Sequence, residues 1–354
     1  MSARAGYPRG GLPGSARARY LAGDIGGTRA RLQTGTPESA RAHPVAERVY
    51  DSAGFDGAAA LLRRFAADFG FDLAGVGAMT LAVAGPVASG RARLTNLPWL
   101  LDARALEREL GVAQVEIVND FVAAAHGVGE LRPGDVASIQ RGEPDSRGAR
   151  LVLGAGTGLG VAALVPAGDA FAAVASEAGH GDFAPQDEDQ RRVAAALAQQ
   201  YGHVSCERVL SGSGLEAICC VLRGADLAQP PLGAAKVSAA ARAGDPVAMR
   251  ALDVFAAVYG AVAGNLALTF LATGGVYIAG GIAPVIAETL CGPAFANAFL
   301  DKGRFRPLLA RVPVTLVRND RLGLLGAAAH AARAAYCAAY SSGTGITRPS
   351  GSRS

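Results

Sequence analysis

Two glycine-containing turns, each between apolar strands, limit the possible folds of this chain most strongly. Residues 20–33 alternate apolar and polar side chains around Gly26-Gly27-Thr28, and residues 151–165 form a similar strand-turn-strand pattern around Gly156-Thr157-Gly158. A tight glycine turn between two strand-like segments is typical of an antiparallel hairpin. The similarity of the two hairpins indicates an internal duplication. We therefore expect two domains, each with one hairpin that faces a shared cleft.

The rest of the chain alternates between strand-like and helix-like segments. Apolar runs predict strands, and apolar residues at helical spacing predict helices. The predicted strands are residues 77–85, 115–118 and 276–279, and the predicted helices are residues 102–110, 121–127, 188–201, 246–273 and 324–340. This alternation predicts an α/β fold.

Length and composition favour a soluble protein with two domains. A chain of 354 residues exceeds the usual size of one domain, and its hydrophobic content of 50% is enough for two cores. Residues 254–283 carry no charge, and a run of this length is long enough to span a membrane. Because Asn265, Thr269 and the pair Gly274-Gly275 divide this run, we predict a buried helix followed by a strand, and no membrane segment.

The charge distribution argues against a nucleic-acid ligand. The formal net charge is +4, but residues 1–19 and 341–354 together contain six arginines and no acidic residue. Without these arginines the rest of the chain has a formal charge of −2, which gives no support to nucleic-acid binding. We expect both terminal segments to be disordered. A transit peptide is the less favoured interpretation of the first segment.

The cysteine content favours a reducing compartment. The chain has five scattered cysteines, which are Cys206, Cys219, Cys220, Cys291 and Cys337. An odd number without regular spacing is typical of a cytoplasmic protein, and none of the spacings is that of a metal site.

Three kinds of glycine-rich phosphate site compete for the two turns. A P-loop needs a Gly-Lys-Ser/Thr sequence, but the two lysines, Lys236 and Lys302, do not lie in one. A dinucleotide fingerprint opens a helix, whereas residues 154–160 have a different glycine spacing and run into a strand. The third kind is a hairpin turn whose backbone N–H groups and threonine hydroxyls approach phosphates. This third interpretation fits both turns.

Asp24 precedes the first turn and adds a carboxylate to it. Mg²⁺ prefers oxygen ligands and keeps part of its hydration shell. We therefore expect Asp24 to hold Mg²⁺ at the terminal phosphates through water.

Nine motifs between about residue 20 and about residue 340 resemble those of the bacterial glucokinases, in the superfamily of sugar kinases, Hsp70 and actin. They occur in the family order and together are highly specific. The motifs are residues 24–28, 84–87, 95–99, 119–121, 154–160, 176–180, 203–208, 210–212 and 279–282.

The resemblance implies a two-domain actin-like (ribonuclease H-like) ATPase fold. The small domain is expected at residues 20–130 with 322–340, and the large domain at residues 131–321. The implied reaction is ATP-dependent phosphorylation of glucose at its 6-hydroxyl, which gives glucose 6-phosphate and ADP in the first step of glycolysis. A homodimer formed through the large domain is also implied.

Asp120 is the candidate general base. It lies between a predicted strand and a predicted helix, where catalytic groups of α/β folds gather. Phosphoryl transfer to a hydroxyl needs a base to orient and deprotonate it. An aspartate after a strand also commonly caps the next helix, which is the ordinary alternative.

Carboxylates, an amide and an imidazole can recognise several sugar hydroxyls at once. By the resemblance, the sugar-binding residues are Asn96, Asn119, Asp120, Glu177, His180 and Glu207. Glu177 and His180 are three residues apart, so one helical turn would bring them together. The ordinary alternatives are a surface pair of Glu207 with Arg208, and a structural role for His180.

The resemblance also implies the nucleotide-binding residues and shows two departures from the family pattern. Residues assigned to ATP are Gly23, Asp24, Ile25, Gly26, Gly27, Thr28, Gly156, Thr157, Gly158, Gly280 and Gly281. Ala178 replaces a glycine and Ser213 replaces a proline. Neither change removes a functional group, but Ala178 adds a methyl group beside the expected sugar pocket.

Several alternatives stay open at this point. A kinase for another hexose would use a similar site, while the zinc-containing sugar kinases have a cysteine cluster that residues 181–185 lack. A sugar-sensing regulator of the same fold would need a DNA-binding helix pair before the first strand, and nineteen residues are too few for one. A filament-forming ATPase would not need the set of Glu177, His180 and Glu207.

Overall fold

The fold is known from a computed structural model that describes residues 19–37, 44–94, 97–225, 227 and 233–341. These residues form two compact units. The first contains the described residues up to Glu130 and from Arg321 onward, and the second contains those from Leu131 to Asp320. Asn96, residues 1–18 of the basic extension and the tail from residue 342 lie outside the described residues.

The described part of the chain contains fourteen strands. They are β1 (Arg19–Ile25), β2 (Arg29–Gly35), β3 (Ala46–Asp51), β4 (Val76–Val83), β5 (Val87–Ala88), β6 (Arg91–Arg93), β7 (Leu100–Asp102), β8 (Val115–Asn119), β9 (Val136–Gln140), β10 (Arg150–Ala155), β11 (Leu159–Ala167), β12 (Ala170–Ser176), β13 (Gly275–Ala279) and β14 (Val314–Val317).

The same residues contain twelve α-helices. They are α1 (Ala58–Phe69), α2 (Ala103–Leu110), α3 (Asp120–Gly127), α4 (Glu188–Tyr201), α5 (Cys206–Val209), α6 (Gly212–Leu222), α7 (Ala234–Arg242), α8 (Pro246–Phe270), α9 (Ala287–Leu290), α10 (Pro293–Leu300), α11 (Arg306–Arg311) and α12 (Leu322–Ser341).

Each unit contains one large sheet, and the two sheets share an order of strands. The first is β3-β2-β1-β4-β8, and the second is β12-β11-β10-β13-β14 with β9 added at one edge. In both, an antiparallel hairpin is followed by two parallel strands. The two predicted glycine hairpins are confirmed as β1–β2 and β10–β11, and they occupy the same place in the two strand orders, as an internal duplication would predict.

Most predicted elements are present, and their ends differ by a few residues for local reasons. The helix predicted to reach residue 273 ends at Phe270, because Leu271 adopts a left-handed conformation with φ of 45°. The strand predicted to reach Gly85 ends at Val83, and Gly85 has φ of 122°. Positive φ values interrupt both helices and strands, so these residues mark the ends.

Among the described residues, α8 is the one helix that by length and composition could cross a membrane. It packs against α6, α7 and α10, and 67% of its most apolar stretch is buried. The predicted buried helix followed by a strand is confirmed by α8 and β13, because both belong to the hydrophobic core of the second unit.

The first sheet is covered on both faces. Alternate residues of β1 point to opposite sides, with Leu21 and Ile25 in the cluster that includes α1 and α2. Tyr20 and Ala22 lie in the cluster that includes α3 and α12. The chain therefore returns from the second unit to complete the first, since α12 packs on α3, β1 and β4.

A pair of histidines lies where α3 meets α12. The ring centroids of His126 and His330 are 5.0 Å apart, and His330 Nδ1 is 3.4 Å from both Thr80 Oγ1 and Glu116 Oε2. Burial, together with the nearby charges of His330 and Arg333, lowers the pKa of His126 from 6.5 to about 4. His126 is therefore neutral in the folded protein at neutral pH.

We predict that the free energy of unfolding decreases as the pH falls from about 6.5 towards about 4. The unfolded chain protonates His126 in this range while the folded protein does not, and the loss should be about 1 to 2 kcal/mol because the ring is only partly buried. Denaturant titrations at several pH values measure it. His126→Gln should remove that part of the pH dependence, and an unchanged dependence in the variant would contradict the assignment.

Candidate active site

The first glycine turn is held by backbone and serine contacts. Gly26 N donates to Arg29 O at 2.9 Å and closes the turn between β1 and β2. Ser52, fully buried after β3, donates from Oγ to Gly26 O at 2.9 Å and from N to Thr28 O at 3.0 Å. Thr28 is exposed. Ser52 was not predicted from the sequence, because a lone serine has no diagnostic spacing.

Asp24 lies in β1 immediately before this turn and is half-buried. Its carboxylate lies beside Gly323 in the first turn of α12, where an added Cβ would be 3.3 Å from Asp24 Oδ2. Gly23 and Ile25, which were also predicted to contact the nucleotide, are buried within β1. An added Cβ at Gly23 would be 2.8 Å from Leu32 Cδ2, so that glycine is needed for packing.

Asn119 and Asp120 lie at the junction of β8 and α3. Asn119 caps α3, because its Oδ1 accepts from Phe121 N at 2.9 Å and from Val122 N at 3.3 Å, and its Nδ2 donates to Gly85 O at 3.2 Å. The capping role considered for Asp120 therefore belongs to Asn119. Asp120 is the first residue of α3, is half-buried, and places Oδ1 2.9 Å from Phe121 N.

The second glycine turn joins β10 to β11 in the other unit. Gly156 N donates to Gly158 O at 2.8 Å, and Gly156 O accepts from Gly212 N at 2.9 Å. Thr157, between the two glycines, is exposed. The turn is therefore held by one hydrogen bond within its own backbone and by a second one from the first residue of α6.

The predicted adenosine-side turn lies beside this hairpin. Gly280 has φ of 84°, and an added Cβ would overlap the backbone of Ala155 at the end of β10. Ile282 N also donates to Ala155 O at 3.2 Å. Gly281, between them, has open space on its Cβ side. The structure thus brings Gly280 and Gly281 next to the second glycine turn.

Glu177, His180 and Glu207 form one cluster. Residues Ala178–His180 are a turn of 3₁₀ helix, which places His180 Nε2 3.8 Å from Glu177 Oε2. His180 Nδ1 is 3.8 Å from Glu207 Oε1. The side chains of His180 and Glu177 are 61% and 68% exposed, so they are open to a ligand. The predicted proximity of Glu177 and His180 is confirmed, and Glu207 joins them by tertiary folding.

Two backbone contacts hold the segments of this cluster together. Asp182 and Ser205 form an isolated β-bridge, and Cys206 N donates to Gly181 O at 2.8 Å. An exposed contact of 2.8 Å between His203 Nε2 and Asp182 Oδ1 lies over the bridge. The short helix α5, which carries Glu207, is thereby fixed against the segment that carries His180.

Glu207 also contacts the second glycine turn directly. Its Oε2 accepts from Leu159 N at 2.9 Å, and an added Cβ at Gly158 would overlap that oxygen. Arg208 does not form the surface pair with Glu207 that was the alternative, since its guanidinium lies 3.9 Å from the Tyr201 ring centroid. The carboxylate is therefore seated against the turn, with its other oxygen towards His180.

The two departures from the family pattern fit their local structure. Among the described residues other than glycine, Ser89 and Leu271 have a positive φ, and Ala178 does not. The backbone at Ala178 therefore does not need the conformational freedom of a glycine. Ser213 is the second residue of α6, where a proline is also tolerated, and its Oγ lies 3.2 Å from Ser211 Oγ. Neither residue disturbs the backbone.

Comparison with known proteins places this chain in a family. The glucokinase family model matches residues 21–334. A glucokinase of Nostoc punctiforme is 37% identical over 338 residues, which cover 88% of this chain and 98% of the relative.

Solved structures agree with this match. A glucokinase from an Antarctic psychrotroph has a TM-score of 0.80 and 31% identity, and the match covers 89% of this chain and 99% of that one. A ROK family glucokinase from Streptomyces griseus in complex with glucose and AMPPNP has a TM-score of 0.55 and 20% identity, with coverage of 89% and 99%.

The fold is the actin-like ATPase fold that the resemblance implied. The chain belongs to the glucokinase family.

We predict that Gly158→Ala displaces the Glu207 carboxylate, because the new methyl group would occupy the place of Oε2. The Leu159 amide would then lose its acceptor, and its hydrogen exchange, measured by NMR, should accelerate at least about tenfold. Gly156→Ala is the matched control, since it lies in the same turn with open space on its Cβ side. An unchanged hydrogen-exchange rate of the Leu159 amide in Gly158→Ala would contradict the contact between Glu207 and the turn.

Proposed function

We propose that the protein transfers the terminal phosphoryl group of ATP to the 6-hydroxyl of glucose, giving glucose 6-phosphate and ADP. One observation carries the proposal. Glu207 contacts the glycine turn through Leu159 N and lies beside His180, so the candidate sugar-binding groups adjoin a candidate phosphate site. The names of the relatives and the ligands of the Streptomyces griseus structure, glucose and AMPPNP, support it.

Asp120 is assigned as the general base. Its half-buried carboxylate follows β8, and Asn119 fixes the first turn of α3 beneath it by accepting from two backbone N–H groups. A base held in this way orients the sugar hydroxyl and accepts its proton as the phosphoryl group transfers. Asn119 keeps one N–H of its amide for a sugar hydroxyl, since Gly85 O accepts the other.

The cluster of Glu177, His180 and Glu207 is assigned to sugar recognition. Each carboxylate accepts hydrogen bonds from hydroxyls, and the imidazole between them donates or accepts according to its tautomer. Leu159 N occupies one oxygen of Glu207, which leaves Oε1 for a hydroxyl. A sugar lacking a correctly placed hydroxyl would leave one of these polar groups without its hydrogen-bond partner in the complex, which is the physical basis of selectivity. We assign Asn96 to the same sugar from the resemblance.

The two glycine turns are assigned to the phosphates of ATP. Their backbone N–H groups and the exposed hydroxyls of Thr28 and Thr157 suit phosphate oxygens, and Gly280 with Gly281 suits the adenosine side. Asp24 fits Mg²⁺, because it is a half-buried hard oxygen donor beside a phosphate turn. Bound there through water, Mg²⁺ would neutralise developing charge on the phosphates. Homodimer formation and a cytoplasmic location stay predictions.

We expect purified protein to release ADP from ATP only slowly without sugar and fastest with glucose. The physical reason is that water is smaller than glucose and equally able to attack ATP, so the sugar must complete the site. A coupled assay with glucose, mannose, fructose and no sugar measures this. Equal ADP release with and without sugar would indicate a sugar-independent ATPase. The absence of ADP release with every hexose would indicate a sensor.

We predict that Asp120→Asn lowers turnover by about 10²- to 10⁴-fold while ATP affinity is retained. The amide keeps the shape of the carboxylate and can still accept from Phe121 N, but it cannot take the proton from the sugar. Steady-state kinetics and calorimetry with ATP measure the two effects.

Asp72→Asn is a matched control for this change. Asp72 caps a short 3₁₀ helix in the same unit by accepting from Ala74 N at 3.0 Å, and an asparagine fills that role equally well. The control should keep wild-type turnover. Turnover of Asp120→Asn within tenfold of the wild type would refute the assignment of the base.

A further inference from the structure

The first two turns of α12 approach α3 more closely than side chains allow. An added Cβ at Gly326 would overlap Ala123 O, and an added Cβ at Gly127 would overlap Leu322 O. The backbones of the two helices therefore touch at a pair of glycines. Because α3 begins with Asp120, the start of α12 fixes the helix that carries the assigned base.

The same end of α12 also touches Asp24. An added Cβ at Gly323 would lie 3.3 Å from Oδ2, 3.5 Å from Cγ and 3.8 Å from Oδ1 of Asp24. All three atoms of the carboxylate group are therefore within contact distance of the position that a Cβ at residue 323 would occupy. The first turn of a helix has N–H groups outside the helical bonding pattern, and its dipole favours a negative charge there.

Glycine at this position has a conformational disadvantage. Glycine is a poorer helix former than alanine, and among the described residues Gly323 is not one of the glycines with positive φ. Neither helix stability nor backbone conformation therefore accounts for Gly323. The contact with Asp24 does.

We propose that Gly323 is a positioning residue that seats the Asp24 carboxylate for nucleotide binding. The proposal rests on the proposed function, in which Asp24 serves the Mg²⁺–ATP side of the reaction. A methyl group at position 323 would push the carboxylate by a few tenths of an ångström, since its distance to Oδ2 is shorter than an ordinary van der Waals contact. Small displacements of positioned groups reduce catalysis and binding well beyond their effect on folding.

The test is Gly323→Ala, with Gly129→Ala as the matched control. Gly129 belongs to a 3₁₀ helix of the same unit and has open space on its Cβ side. Gly323→Ala should keep or raise the melting temperature, lower the affinity for Mg²⁺–ATP about 3- to 10-fold by calorimetry, and lower kcat/KM for ATP by a similar factor. Glucose affinity and the control variant should stay at wild-type values.

A double variant separates positioning from a general structural effect. In an Asp24→Ala background the new methyl group has room, so Gly323→Ala should cause no further loss of nucleotide affinity. An equal loss in both backgrounds, a lowered melting temperature, or a nucleotide affinity within twofold of the wild type would overturn the proposal. If the wild type phosphorylates no hexose, the proposed function fails, but calorimetry with Mg²⁺–ATP still decides the role of Gly323.

Discussion

In each of the two units, a glycine leaves space for the carboxylate of a candidate site residue. In the second unit, Gly158 leaves room for Glu207, whose Oε2 accepts from Leu159 N. In the first unit, Gly323 leaves room for Asp24. A carboxylate held by backbone and by close packing loses little freedom when a ligand binds, which favours binding. The second glycine turn thus contributes more than exposed amide groups, because it also seats the Glu207 carboxylate, and we infer that Gly323 of α12 seats Asp24 in the same way.

The local part of this arrangement could be predicted from the sequence. Alternating side chains around Gly26 and Gly156 predicted the two hairpins. Hydrophobic periodicity predicted five of the twelve helices in the described residues, α2, α3, α4, α8 and α12, within a few residues of their ends. These signals depend on neighbours in the chain, which a single sequence shows directly. The repeat was also predictable, because the two segments share a strand-turn-strand pattern in the sequence. In the structure the two hairpins occupy the same place in the two sheets.

The contacts that complete the site could not be predicted, because they join residues far apart in the chain. Ser52 supports the first turn from beyond β3, and Gly323 meets Asp24 after the chain has passed through the second unit. Asn119 is different. An asparagine before a helix is a recognised capping signal, so its capping role was predictable, although the resemblance implied only a sugar-binding role for it.

We propose that the carboxylate of Asp120 meets the 6-hydroxyl of a glucose held by Glu177, His180 and Glu207. A crystal structure of the protein with glucose and a non-hydrolysable ATP analogue tests it most directly. We expect a carboxylate oxygen of Asp120 within hydrogen-bond distance of the 6-hydroxyl, about 2.6 to 3.2 Å, with the terminal phosphate beside the same hydroxyl. Glucose bound away from these residues, or a different hydroxyl facing Asp120, would contradict it.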